Sequence, residues 1–332
     1  MSKTRRAVGW SLFGGSLVML GLTVWCYASQ PDSLAAFTVL PFWFWGGVGF
    51  LISIFASCFL RSRLSLIAAV AWIITLFVFT DEAYGLRNFA HPKITLERKA
   101  AQDGSQPIRI ITVNCASFHY GNPTEDIKKW NPDIVILQQV YPHLVPQIAR
   151  ALYGENGNHS AFITNGIATR FEIRREVLNI STRTHQATLR LPDGREIELV
   201  NVHLATAATD MRLWSSQSRA SHRLNRDLRN KELAGVLQTL KKTSAFPTIP
   251  TVLGGDFNAG ATDIVHRQLV PDFDDAFAEV GRGWGDTFHR RFPILRIDHI
   301  YATRHFKPLA CGTAVSKMTD HRMVIADYIL RK

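Results

Sequence analysis

Three long stretches without a single charged residue occupy positions 7–28, 35–60 and 64–80 of this 332-residue chain. A helix needs about 20 apolar residues to cross a hydrocarbon core, with roughly 17 as the lower limit. The first two stretches meet that length and the third only just does. Trp25, Tyr27, Trp43 and Trp45 lie near stretch ends or interfaces, where amphipathic rings are favoured. Three such stretches joined by short polar segments predict a three-helix transmembrane anchor over 1–82 rather than buried helices of a water-soluble core. Lys3, Arg5 and Arg6 precede the first stretch, and Arg61 and Arg63 separate the second from the third. Asp32 and Asp81-Glu82 mark the opposite side. The bias of Lys and Arg toward the cytoplasm then predicts a cytoplasmic N-terminus and an extracytoplasmic C-terminal domain at the cell membrane. The first stretch can also be read as a cleaved signal, with small residues near Ala28-Ser29.

Residues 83–107, with Tyr84-Gly85, His91-Pro92, Lys93, Arg98-Lys99 and Asp103-Gly104-Ser105, read as a linker. From residue 108 the texture changes to short β-branched runs bounded by Gly, Pro, Asn and Asp. Strands are expected at 108–113, 134–137, 161–164, 166–169, 187–191, 196–202, 248–253, 297–302 and 323–329, with helices at 124–130, 145–153 and 216–240. This pattern predicts an α/β (α+β) domain over 108–332, a sandwich of two sheets flanked by helices. The four cysteines, Cys26, Cys58, Cys115 and Cys311, form no C-x-x-C pair, so neither a zinc site nor a disulfide framework is signalled. The net charge is +11, of which residues 91–332 carry +8. That surface suits either a polyanionic partner or plain solvation.

Polar residues able to touch a metal or a phosphate recur just after the apolar runs: Asn114, Gln139, His203, Asp256, Asn258, Asp298, Asp320 and His321. Their segments are Ile111-Thr112-Val113-Asn114, Ile136-Leu137-Gln138-Gln139, Asn201-Val202-His203-Leu204, Gly254-Gly255-Asp256-Phe257-Asn258, Arg296-Ile297-Asp298-His299-Ile300-Tyr301 and Thr319-Asp320-His321-Arg322. In this order, over about 108–330, they resemble the endonuclease/exonuclease/phosphatase superfamily, the group with deoxyribonuclease-I-like folds.

The resemblance implies a two-sheet sandwich and phosphoester hydrolysis assisted by Mg²⁺ or Mn²⁺. It implies that Asp256 activates the attacking water or handles the leaving-group proton, and that Asn258 holds a phosphate oxygen or a metal-bound water. His203 would donate to a non-bridging oxygen. His321 would protonate near the scissile phosphate, with Asp298 orienting its other ring nitrogen. Asn114, Gln139 and Asp320 would lie at the metal. Gln139 departs from the family, which carries a carboxylate there. Three readings follow: a weakly held metal, another acid such as Glu172 or Glu176 reaching in, or a domain that has lost much of its catalysis.

Arg219, His222, Arg223, Arg226 and Arg229 fall at offsets of three, four, seven and ten. At about 100° per residue they share one helix face. They either clamp a substrate phosphate, with Arg219, Arg223 and Arg226 as the candidates, or form a solvated first few turns. Three functions are consistent with these features. One is a bilayer-tethered hydrolase of a lipid-linked phosphate or phosphodiester. The second is an extracytoplasmic nuclease, although no stretch interleaves aromatic with basic residues as a stacking platform. The third is a catalytically impaired binding protein on the same scaffold. No protein partner is indicated.

Overall fold

The structure is a computed structural model that describes residues 2–80, 82–98, 100, 106–206 and 212–331. Asp81, Lys99 and Asp103-Gly104-Ser105, all used in the sequence reading, lie outside the described residues.

The N-terminal part holds helices α1 (Lys3–Ser29), α2 (Ala35–Thr38), α3 (Phe42–Leu60) and α4 (Arg63–Phe79). Two of them, α1 and α3, are long and apolar enough to cross a membrane; the apolar stretch of α4 is the shorter Leu66–Phe79. The second sequence run is broken in two. Pro41 lacks an N–H and disfavours the helical conformation at Leu40, so α2 ends before it and α3 starts with Pro41 as its cap. The helices meet at small residues. A Cβ on Gly49 would lie 2.1 Å from the Trp72 ring, and one on Gly46 would lie 2.5 Å from Leu76. Such glycines let apolar helices approach closely. At the centre, the Trp72 indole N–H donates to Ser16 Oγ at 3.0 Å, and Ser16 Oγ lies 2.7 Å from Ser53 Oγ. Val18, Leu22, Leu51, Phe55, Ile67, Ile74 and Val78 are each more than half exposed on the outside of the bundle.

Helix α5 (Glu82–Arg87) begins the segment expected as a linker. Its described part is bound to the sandwich: Asn88 Nδ2 donates to Ala278 O at 3.1 Å, Ile94 is buried in a core cluster, and Arg98 pairs with Asp133.

The sandwich contains twelve strands among the described residues. The first sheet uses β1 (Ile108–Asn114), β2 (Ile134–Gln138), β3 (Asn158–Phe162), β4 (Asn165–Thr169), β11 (Phe306–Val315) and β12 (Arg322–Leu330), in the order β11-β12-β1-β2-β4-β3. The second uses β5 (Glu172–Asn179), β6 (Thr184–Arg190), β7 (Glu196–His203), β8 (Thr251–Asp256), β9 (Phe273–Asp275) and β10 (Asp298–Thr303), in the order β5-β6-β7-β8-β10-β9. Helices α6 (Thr124–Lys128) and α7 (Val145–Tyr153) belong to the first sheet's side; α8 (Ser216–Thr243) covers the second, and α9 (Ala276–Val280) follows β9.

Ile110, Ile134, Ile136, Leu189, Leu199, Val252, Ile300 and Val324 fill the space between the sheets. A polar bridge spans that interior. Asn201 Nδ2 donates to both Leu137 O and Gly166 O at 2.9 Å, and Gln138 Nε2 donates to Asn201 Oδ1 at 2.9 Å. A buried amide with its partners in place fixes the register of the facing sheets.

Three strands were missed in the sequence, each for a physical reason. The edge strand β5 alternates exposed charges with half-buried residues, so it shows no apolar run. β9 is only three residues long, and β11 carries Lys307-Pro308 with a bulge. The strand expected at 161–164 sits earlier, because Ile163-Thr164 forms the β3–β4 turn with Ile163 at φ 56°.

Candidate active site at the strand ends

The register places three candidates side by side. β7 runs parallel to β8 and β10 antiparallel, so His203 pairs with Asp256 and Asp256 with Asp298. The glycines of the Gly254-Gly255 pair make this possible. A Cβ on Gly255 would lie 1.9 Å from Val202 O, at φ +145°, and one on Gly254 would lie 2.9 Å from Ile136 Cδ1. Gly255→Ala is therefore expected to lower unfolding stability by about 3 kcal/mol or more. A chemical-denaturation midpoint unchanged from the parent would refute this.

Asp256 is buried and held at both oxygens. Asn114 Nδ2 donates to its Oδ2 at 2.9 Å and the Asn258 backbone N–H donates to its Oδ1 at 2.8 Å. Asn114 comes from β1 in the other sheet, so the pair ties the two sheets together at the site. Its own Oδ1 accepts from Ala116 N at 2.9 Å. The Asn258 side chain donates to Leu204 O at 2.9 Å. Both asparagines thus first position the carboxylate and its loop.

His321 enters from the start of β12. Its Nδ1 donates to Asp298 Oδ2 at 2.8 Å, and one ligand atom each from Asp256, Asp298 and His321 fall within 4.8 Å of one another. Burial raises the Asp256 carboxyl, and the nearby Asp298 charge adds to this against the pull of His321 and His203. For His321, burial opposes the charged ring. The charge and hydrogen bond of Asp298, helped by Asp256 and Asp320, outweigh it and raise the pKa to about 9. With that pKa the ring is an imidazolium at neutral pH, close to the carboxyl groups of Asp256 and Asp298.

Other polar atoms are left open. His203 Nε2, Asp298 Oδ1 and Asp320 Oδ1 are buried with no hydrogen-bond partner among the described residues. Gln139, half-buried at φ 48°, follows Gln138, the register partner of Asn114.

Some candidates sit elsewhere. Arg226 is buried and donates to Gln30 O, Gln30 Oε1 and Thr38 Oγ1, with Asp263 Oδ2 3.5 Å from its Nε. It joins α8 to the loop between α1 and α3, not to a substrate cleft. Arg219 and Arg223 line a surface cleft with Asp32, Ser33 and Asp227 that contains none of the site residues. Glu172 and Glu176 are exposed on the edge strand β5, and Glu172 pairs with Arg174. Neither replaces the missing carboxylate. The motif residues His299 and Tyr301 are structural. His299 Nδ1 lies 3.0 Å from Asp275 Oδ2, and Tyr301 OH lies 3.0 Å from His266 Nδ1, beneath Phe257.

Three positioning groups to which the sequence motifs assign no role complete the site. Thr319 Oγ1 donates to Asn114 O at 2.6 Å and accepts from His321 N. Thr287 Oγ1 accepts from Ile297 N and Asp298 N. Arg290 donates to Lys317 O and Thr319 O, each at 2.6 Å, clamping the loop that bears Asp320-His321. Thr319 immediately precedes Asp320-His321, which was a usable signal; Thr287 and Arg290 lie in an irregular loop that carries none.

Residues 111–321 match the model of the Endonuclease/Exonuclease/phosphatase family. Solved structures share the fold. An endonuclease/exonuclease/phosphatase from Bacteroides vulgatus is 17% identical with a TM-score of 0.54, covering 68% of this chain and 100% of that one. The Bacteroides thetaiotaomicron mannosyl-6-phosphatase is 16% identical with a TM-score of 0.51, covering 67% and 99%. The human Nocturnin catalytic domain is 19% identical with a TM-score of 0.50, covering 67% and 93%. No curated protein matches the chain. The matched segment takes in every strand-end residue brought together here, and the chain belongs to the endonuclease/exonuclease/phosphatase family of hydrolases.

Proposed function

We propose that this protein is a membrane-anchored, divalent-metal-dependent phosphoester hydrolase acting on a phosphate carried by a lipid, with its catalytic domain outside the cytoplasm. The chemistry rests on the Asp256–Asp298–His321 constellation. The lipid substrate is supported by where the anchor meets the domain. Residues 260–262 and 294–296, on the loops that leave β8 and enter β10, share a cleft with Thr38–Phe42 and Phe79-Thr80 of the anchor. Gln30 Nε2 donates to Thr262 O at 2.9 Å. The site's rim is thus held at one end of the apolar helices.

Asp256, with its raised pKa, is suited to take the proton of an attacking water. The His321 imidazolium faces the same space and is suited to stabilise charge on the phosphoryl group or protonate the departing oxygen. Asp298 fixes which ring nitrogen does so. His203 Nε2 has the free capacity for a non-bridging oxygen. The oxygen donors Asn114, Gln139 and Asp320 fit a hard cation, and the unpartnered Asp320 Oδ1 is consistent with one. Mg²⁺ or Mn²⁺ held there would polarise the phosphoryl oxygen.

The arginine stripe, one ground for a nucleic-acid substrate, is partly consumed in docking the anchor, which favours the lipid over nuclease action. The full chain in nanodiscs, assayed with Mg²⁺ or Mn²⁺ on phospholipids, a polyprenyl pyrophosphate and plasmid DNA, tests the assignment. Turnover of a lipid phosphate is expected. Nicking of DNA with no lipid turnover would overturn it.

Gln139→Glu puts a carboxylate one residue beyond Gln138, the register partner of Asn114. It is expected to tighten the divalent metal by about tenfold, seen as a lower metal concentration for half-maximal activity. An unchanged metal titration would show that residue 139 is not a ligand.

A further inference from the structure

The N-terminal end of α8 has no role in the site described above. Arg226 marks where this helix meets Gln30 and Thr38, at the end of α1 and before α3. Residues 216–225 extend about 15 Å further. There the helix runs beside the anchor's Asp32–Leu34 turn and α2, with Asp32 and Ser33 facing Arg219, Ala220 and Arg223. Trp214 precedes the helix, 79% exposed, and Leu224 is 58% exposed. Arg219 donates to Leu213 O and Trp214 O, which holds the indole-bearing turn against the helix start. Arg223 has no partner among the described residues. Phe292, on the loop that enters β10, is 77% exposed.

An exposed Trp, an outward Leu and the unpaired Arg223 guanidinium make an interfacial composition. Indole rings partition to the headgroup level, aliphatic side chains enter just below it, and arginines meet lipid phosphates. Trp214 stands four-fifths exposed at the start of a helix whose first turns pack on the Asp32–Leu34 turn and α2, between the two membrane-length helices in the chain. The surface is also continuous with the anchor, so no separate recruitment is required.

We infer that Trp214 and the first turns of α8 form a bilayer-seating surface that rests in the headgroup layer of an anionic membrane, holding the mouth of the catalytic site against the lipid it acts on. This rests on the reading of α1 and α3 as spans. The seating surface gives the site a fixed standoff from the bilayer, set by Arg226 and Asp263 at one point and by Trp214 at another.

The test uses the full chain with Cys58→Ser, since Cys26, Cys115 and Cys311 are buried. Single cysteines carrying an environment-sensitive fluorophore are placed at Trp214, at Val18 on the outside of α1, and at Asp193 in the turn at the far end of the sandwich. Each is reconstituted in phosphatidylcholine nanodiscs with and without phosphatidylglycerol. Quenching by iodide in water is compared with quenching by nitroxide-bearing lipids. The label at Trp214 is expected to be quenched by shallow nitroxides and shielded from iodide, more so with phosphatidylglycerol. Arg223→Glu should weaken that lipid dependence by about fivefold. The label at Asp193 should respond to iodide alone. If Val18 is quenched by deep nitroxides but Trp214 behaves like Asp193, the seating surface is overturned and the spans stand. If Val18 is not quenched by lipid nitroxides, the spans are overturned, and the seating surface with them.

Discussion

Asp256→Asn should lose phosphoester hydrolysis by on the order of a thousandfold while leaving the fold intact. The neighbouring acid, Asp298, gives one carboxylate oxygen to His321 Nδ1 and is not aimed by the two donors that hold Asp256, the Asn114 amide and the Asn258 N–H. An amide at 256 can still accept from one of the two donors now on Asp256, the Asn114 amide or the Asn258 backbone N–H. It loses the other bond, which costs about 1 kcal/mol. It also removes a buried acid whose charged form is disfavoured by burial and by Asp298. These effects oppose each other, so the thermal midpoint should move little. Steady-state rates on the best phosphoester substrate, with a melting curve on the same sample, are the measurement. A variant within roughly tenfold of the parent rate would remove Asp256 from the chemistry.

Why this residue could be picked from the sequence, and others could not, follows from the kind of constraint each obeys. Asp256 sits after a pair of glycines whose absence of Cβ is forced by Val202 O and Ile136, so the local sequence carries the geometry. Asp298 opens the buried strand β10 and His321 immediately precedes β12, which brings both to the same rim. Their roles became specific only through the family resemblance. Arg226 shows the opposite case. Its helical phase is compatible with a phosphate clamp, with solvation or with a buried tether. Only the tertiary position of Gln30 and Thr38, nearly two hundred residues away, selects the tether. The edge strand β5 was illegible because a strand with one exposed face and many charges obeys no apolar alternation. Thr287 and Arg290 act through backbone groups of other segments, and a hydrogen bond to a distant carbonyl leaves no pattern in the chain. The split of the second apolar run at Pro41 was legible in principle, since a proline bars helix at the residue before it.

The His321–Asp298 pair predicts the second large effect, and it has a pH signature. Asp298→Asn keeps the shape but offers no charge to the ring, so the tautomer and orientation of His321 are lost. The rate should fall by about a thousandfold. In the parent, the folded-state pKa of His321 is raised from 6.5 to about 9. The stability contributed by its protonation is complete below the unfolded value and is lost as pH rises through the folded one. Between pH 6.5 and about pH 9 the metal-free parent should therefore lose stability. The largest loss this group can cause is roughly 3 kcal/mol. Asp256, also raised, adds a loss of the same sign that begins from its ordinary carboxyl value upward, since a carboxyl held above that value stabilises most when protonated. In Asp298→Asn the largest upward influence on His321 is gone while burial remains. Its pKa falls, and the decline of stability over that window should flatten. Denaturant midpoints at both ends of the window, in chelator, separate the variants. A parent with no decline across the window, or a variant with the same slope as the parent, would show that Asp298 does not hold the His321 proton. In that case the imidazolium assigned to the leaving oxygen would have to be replaced by another acid.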